Sequence, residues 1–237
     1  DLHSFPTRRS SDLRLDEKSR NQYLTDLFIK VGRIQFLILM LIASGMVIFG
    51  QSFIYFWVGE GYEDSYYVSL LLIIPASIPL IQNLGIEIQP AANQHKFRSI
   101  IYLTMAICNL ILTIYLCQLY DAVGAAVGTA ISVILANGIV MNLYYYKKMG
   151  INIPEFWKNI LRLALGMLPA FSVGAGIMAW VSFPTVLQMI ALILLYTVIY
   201  FGCIWFFSMN SFEKELIAAP KQKILKKITK TNGSVKV

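Results

Sequence analysis

The polar side chains best suited to bind a ligand are concentrated in residues 78–99, IPLIQNLGIEIQPAANQHKFRS, between two long apolar segments. The candidate binding residues there are Gln82, Asn83, Glu87, Gln89, Asn93, Lys96 and Arg98. On a helical projection the amides and Glu87 fall within a half-circle, although Pro90 can interrupt the helix. In so apolar a chain this polar face predicts a functional site, and the competing interpretation is an ordinary solvated helix end.

Residues that could support catalysis or bind a metal do not form a recognisable set. His95 is the only histidine after residue 13, and no Ser/His/Asp set can be assembled around it. No GxxxxGK[ST] loop for a nucleotide is present, and Cys108, Cys117 and Cys203 lack CxxC spacing. We therefore expect a protein that is not an enzyme and has no metal site or cofactor.

The composition is that of a membrane protein. Hydrophobic residues make up 57% of the chain and charged residues 14%, against about 25% charged in a soluble domain. Apolar segments close to the roughly 20 residues that a spanning helix needs recur along the chain. They predict an all-α polytopic fold with six transmembrane helices at 34–57, 67–88, 99–119, 122–146, 160–181 and 185–207.

The distribution of charge predicts how these helices are oriented. With six crossings, all 20 Lys and Arg fall on one side of the membrane. On the opposite side, formed by residues 58–66, 120–121 and 182–184, every charged residue is acidic: Glu60, Glu63, Asp64 and Asp121. Because Lys and Arg accumulate in cytoplasmic loops, we expect both ends in the cytoplasm. The net charge of +7 thus reflects topology and not nucleic-acid binding.

Three hydrophilic segments flank these helices. Residues 14–33 predict a cytoplasmic amphipathic lead-in, with apolar residues at helical spacing: Leu24, Leu27, Phe28 and Val31. Residues 147–159 form a cytoplasmic loop, and residues 208–237 a basic cytoplasmic tail. The lysines of the tail suit contact with anionic membrane lipids.

The first residues stand apart from the rest of the sequence. Residues 1–13, DLHSFPTRRSSDL, are neither apolar nor periodic, and they resemble the translation of a sequencing adapter fused to a genuine reading frame. We exclude them from functional reasoning and expect the native sequence to start near Arg14, within a longer protein. A natural disordered N-terminus is the alternative.

Small residues and prolines indicate how the helices pack. Gly124, Gly128, Ser132 and Ala136 recur every four residues and predict a stripe that a neighbouring helix can approach closely. Pro75 and Pro79 lie inside the second predicted helix, where each removes a backbone hydrogen bond. Such interrupted helices are typical of transporters, although kinked structural helices are also common.

Several short patterns in order carry a family resemblance: IQFLILMLIASGMVIFGQSFIYFWVGEGY, LLIIPASIPLIQNLGIEI, NQHKFRSIIYL, GAAVGTAIS and IVMNLYYYKK. Together they resemble the C-terminal half of bacterial polysaccharide (O-antigen-type) flippases, of the multidrug/oligosaccharidyl-lipid/polysaccharide exporter superfamily. The resemblance implies a larger two-lobe transporter of the bacterial inner membrane. Residues 34–146 would be four helices of its second lobe, and residues 160–207 two extra C-terminal helices.

The resemblance also implies a function. Such proteins move polyprenyl-pyrophosphate-linked oligosaccharides to the outer leaflet by alternating access, for surface polysaccharide and lipopolysaccharide synthesis, with possible coupling to a proton or sodium gradient. Lys96 and Arg98 would then contact phosphate. The amides and Glu87 would contact sugar hydroxyls or a coupling proton. The expected partners are the lipid-linked oligosaccharide, membrane lipids and the N-terminal part of the same protein.

Three other interpretations stay open. A multidrug exporter of the same superfamily, working by cation-coupled antiport, predicts an acidic, aromatic cavity, whereas a flippase predicts a cationic, amide-rich one. A glycan polymerase or acyltransferase would need a large outer loop or an exposed His/Asp/Arg set, and the sequence has neither. The chain could also be a non-functional truncated fragment.

Overall fold

The computed structural model describes residues 17–85, 95–180 and 185–215, and these residues are helical with no strand among them. The elements are α1 (Glu17–Val58), α2 (Asp64–Ile81), α3 (His95–Val133), a π-helix (Ile134–Met141), α4 (Asn142–Met149), α5 (Ile153–Leu165), α6 (Leu168–Trp180) and α7 (Val186–Phe207). The prediction of an all-α fold is confirmed for this part of the chain.

Four helical stretches are long and apolar enough to cross a membrane: Ser19–Val58, Asp64–Ile81, Phe97–Met149 and Val186–Phe207. The pair α5 and α6, bent by 41° at their junction, would make a fifth if it forms one span. Large apolar side chains lie exposed along these helices, where contact with lipid would cost nothing. The described helices are therefore compatible with a multi-pass membrane protein.

The predicted lead-in and the first predicted spanning helix form one element. α1 runs for 42 residues and continues through residues 33/34 without a break. The apolar face of the lead-in is used for packing, because Phe28 is buried against the rings of Tyr145 and Phe156. The ring centroids lie 5.6 and 4.8 Å away, in edge-to-face geometry.

α3 folds back on itself where the sequence predicts a short loop. Tyr120 (φ −136°) and Asp121 (φ +50°) leave helical geometry and divide α3 into two limbs, 95–119 and 122–133. Contacts then pair residues in antiparallel order along the hairpin: Thr113 with Gly128, Tyr102 with Asn137 and Phe97 with Tyr144.

The stripe of small residues on the second limb faces the first limb. A Cβ atom on Gly124 would lie 2.0 Å from the Leu116 carbonyl oxygen, and one on Gly128 would lie 3.1 Å from the Thr113 Cα. Ser132 and Ala136 are buried further along. Only glycine permits so close an approach of the two backbones.

The predicted helix at 160–181 is two helices instead of one. α5 begins earlier, at Ile153, where the Asn152 side chain accepts a hydrogen bond from the Glu155 N–H at 3.3 Å. α5 ends before Gly166, and a Cβ there would meet the Ser208 hydroxyl, so the returning chain occupies that space. α7 matches its prediction closely and starts with a capping box between Thr185 and Gln188.

The described contacts gather charges of opposite sign at the two ends of the bundle. We call one the basic end, where the start of α1, the start of α3, α4, α5 and residues 208–215 meet. We call the other the acidic end, formed by the α1–α2 loop and the Tyr120–Asp121 break. Residues 58–66 and 120–121 contain no Lys or Arg.

Gly124→Ala should destabilise the protein by about 1–3 kcal/mol, because the added methyl group forces the hairpin limbs apart. Gly176→Ala is the matched control, since its Cβ would meet nothing within 4 Å on α6. Thermal unfolding of both variants in detergent measures the difference. Equal melting temperatures for the two variants would contradict the close packing of the hairpin.

Candidate functional site

α2 ends earlier than the sequence predicts, and the candidate binding residues Gln82 and Asn83 therefore lie beyond its last residue. The helix continues through Pro75 and Pro79 but stops at Ile81 instead of residue 88. Gln82 and Asn83 lie in the turn that follows, where the Asn83 and Gly85 N–H groups donate to the carbonyls of Leu80 and Gln82. Gln82 is 2% exposed, whereas Asn83 is exposed to the surroundings.

Gln82 belongs to a buried amide network that joins three helices. Its Nε2 donates to the Asn142 Oδ1 at 2.6 Å, and the Asn142 Nδ2 donates to the Gly138 carbonyl at 2.7 Å. Gln35 on α1, with its amide nitrogen facing α2, donates to the carbonyls of Leu80 and Ile81 at 3.0 and 3.2 Å. These bonds tie α1 and α4 to the end of α2.

The π-helix positions a second amide on the hairpin. Asn137 lies within it, and Asn142 follows its last residue. The Tyr102 hydroxyl donates to the Asn137 Oδ1 at 2.5 Å, across the two limbs. π-helical turns are rare and are often found at functional sites, because the wider turn redirects side chains. In this protein Asn137 bonds to Tyr102 on the first limb of the hairpin, and Asn142 bonds to Gln82 at the end of α2.

Arg98 places a cation beside the Tyr102–Asn137 pair. Its guanidinium lies 5.0 Å from the centroid of the Tyr102 ring, the same tyrosine that binds Asn137. Arg98 is half-buried, and no described carboxylate pairs with it. We call Gln35, Gln82, Arg98, Tyr102, Asn137 and Asn142 the amide cluster. It can donate and accept hydrogen bonds and can hold an anionic group near its cation.

The remaining candidate residues cannot be located in this cluster. Glu87, Gln89 and Asn93 lie outside the described residues, as does the side chain of Lys96, whose backbone begins α3. Of the half-circle expected from a continuous helix, only Gln82 and Asn83 lie within the described residues, and both are in a turn. Sequence reasoning did not pair Gln82 with Asn142 or Tyr102 with Asn137, because the partners are distant in sequence. Among the described residues no group of three His, Cys, Asp or Glu could hold a metal ion.

A buried ion pair at the basic end was also missed. The Arg33 Nε donates to Glu213 at 2.6 Å, and its Nη2 donates to the other carboxylate oxygen at 3.1 Å. The two side chains are only 3% and 4% exposed. Arg33 also donates to the Ser208 carbonyl at 2.9 Å and the Asn210 amide oxygen at 3.2 Å. The pair thus fixes residues 208–213 against α1.

A concave region is present at the acidic end. The end of α1, the turn after it and the start of α2 enclose a cleft of about 680 Å³, with Met178 of α6 contributing to its wall. Its polar lining includes two carboxylates, Glu60 and Glu63, and several tyrosines. The volume falls within the range of small-molecule sites.

Comparison with known proteins adds no relative: no protein-family model, curated protein or solved structure was found to match this chain. The assignment of function therefore depends on the geometry of the amide cluster and of the acidic-end cleft.

Arg33→Met should destabilise the protein by about 3–5 kcal/mol, because it leaves Glu213 buried without its partner. The double variant Arg33→Met/Glu213→Leu should recover much of that loss, since no charge then remains buried. Denaturant unfolding in detergent measures both, with Lys148→Met at an exposed site as the control. A single variant as stable as the control would contradict the buried pair.

Proposed function

We propose that the protein belongs to a flippase that moves lipid-linked oligosaccharides from the cytoplasmic to the outer leaflet of a bacterial membrane. The observation that carries the proposal is the amide cluster, in which the π-helix and the residue after it hold two hydrogen-bonded pairs, Tyr102–Asn137 with the Arg98 guanidinium over the Tyr102 ring, and Gln82–Asn142. Amides suit sugar hydroxyls, and a guanidinium suits a pyrophosphate. The cluster is thus cationic and rich in amides, as a flippase requires.

The proposal includes a topology of six crossings with both ends in the cytoplasm. It treats the two limbs of the α3 hairpin as two spans and α5 with α6 as one. The basic end then faces the cytoplasm, as the distribution of Lys and Arg favours. In this arrangement the amide cluster lies at the cytoplasmic mouth, where the substrate is loaded. The described helices would form part of a larger two-lobe transporter.

A multidrug exporter of the same superfamily is the second candidate. The observation in its favour is the acidic-end cleft, because carboxylates beside tyrosine rings also suit an organic cation. The two candidates differ in which end carries the substrate contacts. A flippase depends on the cation at the amide cluster, whereas an exporter of cations gains nothing from Arg98.

Arg98→Gln should lower surface polysaccharide roughly tenfold, because a charge-assisted bond to pyrophosphate is lost. Arg98→Lys keeps the charge but loses the planar guanidinium. Its surface polysaccharide should lie between that of Arg98→Gln and that of the native protein. Surface polysaccharide and membrane abundance are measured together in a deletion strain complemented with the full-length parent protein.

Arg162→Gln is the matched control, because Arg162 is an exposed arginine on α5 at the same end of the bundle. It should leave export unchanged. Normal export with Arg98→Gln would argue against the flippase. The exporter would be favoured instead if the complemented strain resisted cationic drugs and the deletion left surface polysaccharide unchanged.

A further inference from the structure

The acidic-end cleft has a defined shape. Gly59 and Gly61, with φ of +98° and +88°, form the tight turn between α1 and α2. The Tyr66 hydroxyl donates to the Val47 carbonyl at 3.0 Å, which fixes the start of α2 against α1. Backbone turns and the Tyr66 hydrogen bond to α1 thus help to set the shape of the cleft.

Aromatic rings and hydrogen-bonding groups both line the cleft. Tyr62 and Tyr67 are 53% and 51% exposed, and the Tyr67 ring packs edge to face with Tyr66 at 5.3 Å. Gln51 and Ser52 contribute an amide and a hydroxyl, and the carboxylates come from Glu60 and Glu63. A ligand here meets many donors and acceptors together with flat apolar surfaces.

The charge of the cleft excludes anionic ligands. Residues 58–66 hold Glu60, Glu63 and Asp64 and no basic residue, so a phosphate or carboxylate group would be repelled. A cation would be attracted, but the cleft is open and its tyrosines are half-exposed. Cation–π and carboxylate contacts are weak when they remain solvated. An uncharged ligand with many hydroxyl groups can use the carboxylates, the amide, the hydroxyls and the ring surfaces together, whereas a cation uses only the carboxylates and the rings.

We infer that the acidic-end cleft binds a saccharide, with the rings of Tyr62 and Tyr67 packed on its C–H faces and with Gln51, Glu60 and Glu63 contacting its hydroxyls. This inference rests on the proposed function and extends it. The cleft would receive the sugar portion of the substrate at the face opposite the amide cluster. Its acidic charge would at the same time keep the pyrophosphate away from this site.

The test measures saccharide binding to the full 237-residue chain by saturation-transfer NMR. The probes are glucose, galactose, N-acetylglucosamine and the cation tetraphenylphosphonium. A polyoxyethylene detergent is used, because a maltoside headgroup could itself occupy the cleft. Tyr62→Ala/Tyr67→Ala should weaken binding of a saccharide at least roughly fivefold, and Tyr62→Phe/Tyr67→Phe much less, since the rings remain.

The control is Tyr23→Ala/Tyr115→Ala, which removes two tyrosines of similar exposure, 58% and 63%, outside the cleft. It should bind like the native chain. Three results would overturn the inference. The first is that the native chain binds no saccharide, and the second is that it binds tetraphenylphosphonium alone. The third is that Tyr62→Ala/Tyr67→Ala binds saccharide no more weakly than the control does. Because the test requires no transport, its result is separate from the export measured with Arg98→Gln.

Discussion

The ion pair between Arg33 and Glu213 is buried and joins α1 to residues 208–213, so both segments must be in place together. A charge this deeply buried is tolerated only when its partner and its remaining hydrogen-bonding groups are in place. Arg33 finds those partners on residues 208–213. This segment follows directly after α7, and its first residue, Ser208, packs beside Gly166. The two ends of the described chain are thereby joined at the basic end.

The buried amides of the amide cluster follow the same rule, because each polar group that leaves water needs a hydrogen-bond partner. Inside a membrane, an unsatisfied amide costs several kcal/mol, so buried Gln and Asn side chains find one another or a free carbonyl. Gln35 donates to carbonyls at the end of α2, and Gln82 meets Asn142. These partners come from three helices, so the network is sensitive to how the helices are arranged. A substrate that offers hydroxyls or phosphate could exchange with some of these bonds at modest cost.

The sequence was a good guide where one local pattern determines the structure. The uniform apolar run of α7 lies between a capping threonine and Ser208, and its limits agree with prediction within one residue. The turn at Tyr120–Asp121 was expected because the apolar segments on both sides are each long enough to span. The lead-in and first span were divided because charge ends near Arg33, although helical geometry continues through it.

Other features depend on contacts that no local pattern reports. Arg33 and Glu213 are 180 positions apart and look like ordinary surface charges in the sequence. Gln82 was recognised by its polarity, but its partner Asn142 lies 60 positions away, beyond a π-helix that periodicity did not predict. Ser208 lies in the space beside Gly166, although the two residues are far apart in sequence. Each requires the assembled bundle.

In the proposed topology, the amide cluster and the acidic-end cleft face opposite sides of the membrane. Single cysteines at Glu60 and Lys158, in a chain with Cys108, Cys117 and Cys203 replaced by alanine, test it with a membrane-impermeant maleimide. We expect Glu60→Cys to be labelled only in right-side-out vesicles and Lys158→Cys only in inside-out vesicles. Labelling of both cysteines from the same side would contradict the account.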